Sequence, residues 1–99
     1  MEKESIREQL VKAIVKFQEL SGEEAPVLNP NVTPIGDLPG FDSQRAVETT
    51  VELEGLLKVE IPGEVNLFVS ADGTRALKIR EIVDRIYNLL KPKGSTVHE

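Results

Sequence analysis

DLPGFDSQRAVETTVELEGLLKVEIP, residues 37–62, opens on a turn and then reads as one helix. Pro39-Gly40 punctuates the chain. Asp42 is a good N-cap, because its short carboxylate can accept a hydrogen bond from an amide of the first turn. The helix should then run from Ser43 to Leu57 or Lys58 and end before Ile61-Pro62-Gly63. Stepping 100° per residue gathers Ala46, Thr49, Thr50, Leu53, Leu56 and Leu57 on one side, the core stripe. Gln44, Val47, Glu48, Val51 and Gly55 gather on the other. Two valines on a solvent face, beside Glu48 and Glu52, are not explained by the core and mark a contact surface.

Outward from this stretch, helical periodicity recurs at both ends of the chain. From about Glu4 to Leu20, apolar residues fall at Ile6, Leu10, Ala13, Ile14, Phe17 and Leu20, an amphipathic helix stopped by Ser21-Gly22. From about Ile79 to Leu90 the stripe is Ile79, Ile82, Val83, Ile86, Leu89 and Leu90, ended by Pro92 and Gly94. The connector between residues 22 and 41 holds Pro26, Pro30, Pro34 and Pro39, so most of it cannot be regular helix. Its apolar Val27, Leu28, Val32, Ile35 and Leu38 suit a segment packed across a bundle. After Pro62, a short helical turn fits Glu64 to Leu67. Asp72-Gly73 between Leu67-Phe68-Val69 and Leu77 then signals a two-stranded hairpin, with a plain loop as the alternative. Residues 92–99 read as a frayed tail. The expectation is a single all-α domain over residues 1–99, a four-helix bundle of three longer helices and one short, with a small β-hairpin insertion before the last.

Composition narrows the function. The 99 residues carry a net charge of −5, no Cys and no Trp. An acidic chain poor in aromatics lacks the basic, stacking surface that nucleic acid requires, and suits partners with positive surfaces. Without cysteine there are no disulfides and no protein-borne thiol chemistry. No apolar run approaches a membrane span, and the charged N-terminus is not a signal peptide, so a cytoplasmic protein is expected. No nucleophile, base or metal cluster converges: His98 lies in the tail without acidic neighbours, and Asp37 with Asp42 falls short of a calcium loop. Neither a catalytic nor a metal residue is assigned.

Asp37-Leu38-Pro39-Gly40-Phe41-Asp42-Ser43, the in-register pairs Val47-Glu48 and Leu53-Glu54, and the closing Glu60-Ile61-Pro62 together resemble the acyl carrier protein family. That family opens its second helix on an acidic-Leu…Gly-x-Asp-Ser motif and closes it on Glu-Ile-Pro. The match is specific from Asp42 to Pro62, and the first and last helices agree in type and place. The resemblance implies a 4′-phosphopantetheine arm attached covalently to Ser43, with Asp42 beside it. It also implies acyl groups carried as thioesters, and no catalysis by the chain itself. A helix N-terminus is a suitable place for the arm's phosphate, and a cofactor sulfur would account for thiol chemistry in a cysteine-free protein.

The implied partners are a phosphopantetheinyl transferase and acyl-transferring or acyl-modifying enzymes with basic docking patches, met by a monomer. Gln44, Val47, Glu48, Val51, Glu52 and Glu54 would form the docking face, with carboxylates steering the encounter and the valines supplying a dry centre. Leu53, Ile61 and Phe68 would line an acyl-chain pocket. Three departures from the family pattern point to a specialised member. Gln44 stands where the family has Leu or Met, Arg45 and Lys58 interrupt the acidic helix, and the chain between Pro62 and the last helix is longer. The alternative is a carrier-like bundle, unmodified, serving as an interaction or regulatory module.

Overall fold

The computed structural model describes residues 2–23, 27–61, 66–70 and 72–90. Helix α1 (Lys3–Leu20) is the hub, packing against both α3 (Ser43–Leu57) and α4 (Ile79–Leu90); a helical turn, α2 (Pro34–Asp37), lies in the connector. The chain is a small all-α bundle, and no helix among the described residues is long and apolar enough to cross a membrane.

Each long helix forms where apolar periodicity and end signals agree. α1 buries Ile6, Leu10, Ala13 and Ile14, and ends in a Schellman motif. There Gly22 adopts φ +76° while the amides of Glu23 and Gly22 reach back to the carbonyls of Gln18 and Glu19. α3 starts at Asp42, whose side chain accepts from the Arg45 amide at 2.9 Å, and buries Ala46, Thr49, Leu53 and Leu57. α4 buries Ile79, Ile82, Val83 and Ile86. Its first amides, which have no partner within the helix, donate to the connector: Ile79 to the Val32 carbonyl at 2.8 Å and Arg80 to the Pro30 carbonyl at 3.0 Å. The connector thus crosses the bundle, with Leu28 and Leu38 buried and Val32 and Ile35 packed against the core, while Val27 is left exposed.

The structure corrects several expectations. Leu20 is 71% exposed, and its place in the α1 stripe goes to Gln18, which is fully buried because it continues the run Ile6, Leu10, Ile14 at steps of four. Leu89 is exposed, turned off the α4 stripe. The β-hairpin is not formed. Val69 and Ala76 make one isolated antiparallel bridge, flanked by the Ser70-to-Arg75 and Leu77-to-Phe68 backbone bonds. Pairing cannot extend, since the Phe68 amide is taken by the Asn66 side chain and the chain enters α4 two residues after Leu77. The short helical element found lies at Pro34–Asp37, before α3, with Ile35 and Gly36 in non-helical conformations. Residues 64 and 65 of the expected turn at 64–67 lie outside the described residues, as do the tail and His98.

The segment between Phe68 and α4 is held by side chains. Arg85 donates to the carbonyls of Asn66, at 2.9 Å, and Val69. Asp72 accepts from the Ser70 and Thr74 hydroxyls and the Thr74 amide.

Candidate functional site

The end of the molecule that carries Ser43 is assembled from the α1 C-terminus, the turn at residues 38–42 and the first two turns of α3. Leu38 and Phe41 are buried pegs on either side of the exposed Pro39-Gly40, and the Phe41 ring packs 5.3 Å from that of Phe68. Gly40 takes φ +70°, a conformation that favours glycine, and a Cβ there would stand 2.6 Å from the Glu23 carboxylate. The pegs anchor the turn, and Asp42 and Ser43, which follow it, are exposed. Ser43 is the first residue of α3 and is exposed.

Polar groups inside this end complete the frame. The buried Gln18 amide nitrogen donates to the Pro39 carbonyl at 2.9 Å, and its oxygen accepts from Arg45 Nη1 at 2.8 Å. Arg45 thereby lies back against α1 instead of projecting from the helix. Ser21, Asp42, Gln44, Arg45 and Glu48 line a shallow polar hollow beside the serine. The sequence reading did not single out Gln18. Its signal was present in the four-residue spacing from Ile14.

The residues expected to form a docking face divide in two. Gln44, Val47, Glu48 and Val51 are all exposed on one side of α3, with Val47 at 59% and Val51 at 61%. Glu52 and Glu54 are half-buried and engaged within the chain. Glu52 pairs with Lys16 of α1 at 3.0 Å, and Glu54 accepts from the Ile61 amide at 2.7 Å. Leu53, Ile61 and Phe68 share one buried apolar cluster with α1 and α4. Asp37 is occupied locally, accepting from the Thr33 amide at 2.8 Å.

Among the described residues, the strongest electrostatic perturbations lie away from Ser43. Hydrogen bonds from Ser70 first, then Thr74, hold the Asp72 carboxyl at about 2. The Arg75 hydrogen bond, followed by the Lys78 amide, holds Glu81 at about 2, and the same contact raises Arg75. These groups shape the turn into α4.

Chemically, the Ser43 end offers an accessible primary hydroxyl on the opening turn of a 15-residue helix. The Arg45 amide is already taken by Asp42, and the first-turn amides direct partial positive charge outward. Comparison with protein-family models, curated proteins and solved structures returned no match.

Proposed function

We propose that the chain is an acyl carrier protein, holding acyl groups as thioesters on a phosphopantetheine arm at Ser43 and presenting them to enzymes of lipid, fatty-acid or polyketide-type biosynthesis. The observation that carries this reading is the placement of Ser43. An exposed hydroxyl at the start of a helix, on a turn pinned by Leu38, Phe41 and Gln18, is reachable by a modifying enzyme and sits where backbone dipoles favour an anion. The arm would supply the thiol that the protein lacks.

The chain's own residues bind and orient. Ser43 Oγ would attack phosphorus of a pantetheine-bearing pyrophosphate donor. The Oγ–P bond would form as the pyrophosphate P–O bond breaks, the donor's other phosphate would leave with the bridging oxygen, and the hydroxyl proton would pass to a base of the transferase. Val47 and Val51, with Gln44 and Glu48 around them, would meet partner enzymes. Glu48 steers toward basic surfaces, in keeping with the net charge of −5. Leu53, Ile61 and Phe68 lie in the apolar interior into which an acyl chain would have to insert. Catalysis would belong to the partners.

Intact-mass measurement after co-expression with a phosphopantetheinyl transferase tests the proposal. A mass gain in the wild type, lost in Ser43→Ala, is the expected result. An unmodified product with transferases of several specificities overturns it. It would favour the unmodified interaction module, to which the exposed Gln44 beside Ser43 already points.

A further inference from the structure

Gln18 is polar, entirely buried and placed among the apolar residues of the α1 stripe. Burying an amide is costly unless its groups are hydrogen-bonded. Here both ends are engaged, and the bonds to Pro39 and Arg45 tie the amide to the segment that carries Ser43. The nitrogen donates to Pro39, four residues before the serine, and the oxygen accepts from Arg45, two residues after it. A packed leucine would fill the position without these bonds. The carboxamide bridges the last turn of α1 to the two flanks of the exposed Asp42-Ser43 pair.

We propose that Gln18 is a positioning residue for the modification of Ser43, a clamp that fixes the 39–45 segment against α1 so that the hydroxyl is presented in one geometry. The clamp deepens the carrier reading and rests on it for its purpose, though the mechanical role can be measured separately. It acts from the side facing α1, whereas the docking residues Val47 and Val51 face away. Loosening it disturbs presentation of the hydroxyl and of Gln44 next to it, and leaves the Val47 and Val51 centre of the docking face in place.

The test uses the full chain with Gln18→Met, which keeps size and loses both bonds. Gln18→Glu is the second variant, keeping the Arg45 bond while setting a carboxylate against the Pro39 carbonyl; it serves if the methionine protein does not fold. Amide exchange measured by NMR should rise about tenfold or more at residues 41–46, with Ile82, Val83 and Ile86 of α4 unchanged. In saturation kinetics with a transferase, kcat should fall while KM for the carrier holds. Exchange that rises evenly through α1, α3 and α4, or not at all, overturns the clamp, as does unchanged kcat in a variant whose segment has loosened. A wild type that no transferase modifies sinks the carrier reading instead, and the exchange pattern then decides the clamp alone.

Discussion

Glu54 accepts a 2.7 Å hydrogen bond from the amide of Ile61, seven residues along the chain. That bond folds the segment after α3 back onto the helix and satisfies an amide that the partly buried turn would otherwise leave unpaired. Glu54 is therefore a structural carboxylate, unlike Glu48, which is exposed on the opposite face. Glu54→Ala should lower stability by about 1 to 2 kcal/mol in denaturant unfolding. Glu48→Lys should stay within about 0.5 kcal/mol of wild type, yet slow acyl transfer to partner enzymes, as should Val51→Glu. Normal transfer by both surface variants would contradict the docking face.

The same helix ends on a left-handed residue that is not glycine. Lys58 has φ 58° and ψ 46°, and the Val59 amide reaches back to the Glu54 carbonyl, the six-to-one bond of a Schellman motif. A side chain in that conformation costs roughly 1 to 2 kcal/mol. Part of that cost returns through glycine's larger unfolded-state entropy. Lys58→Gly should raise stability by about 1 kcal/mol, seen as a higher denaturation midpoint at unchanged slope. A lower midpoint would mean that the Lys58 side chain makes a compensating contact.

Leu53 is fully buried in the cluster shared by α1, α3 and α4. Leu53→Ala should cost about 2 to 5 kcal/mol, through lost transfer energy and the cavity left behind. Thermal unfolding checks it, and an unchanged midpoint would contradict the burial of this face.

Asp72 and Glu81 predict the acid behaviour of the turn into α4. Both carboxyls are held at about 2 in the folded chain, against ordinary values of 3.8 and 4.5. A depressed folded value favours the folded state once the group ionises. Their contribution is therefore complete above the ordinary values and is lost as pH falls through about 2. Carboxyl chemical shifts followed by NMR should give both groups midpoints well below their ordinary values. In Thr74→Val the Asp72 midpoint should rise, because one of its hydroxyl donors is gone. A normal midpoint for Asp72 in the wild type would refute the side-chain-capped turn.

Three helices, the cap at Asp42 and the outward face of α3 were readable from residue order alone, because each depends on spacing within one helix. Val47 and Val51 fall opposite Ala46 and Leu53 wherever that helix packs. Tertiary structure decided what depends on a distant partner. Spacing puts Gln18 on the buried face of α1, but only Pro39 and Arg45 lying across from it let an amide occupy that place. Glu52 and Glu54 turned inward because Lys16 and the Ile61 amide were within reach. The Asp72-Gly73 turn stopped at a single bridge because the Asn66 side chain took the Phe68 amide and α4 began two residues after Leu77, its first amides bonded to the connector. A periodic stripe states which side of an element is apolar. Only packing determines which polar groups meet.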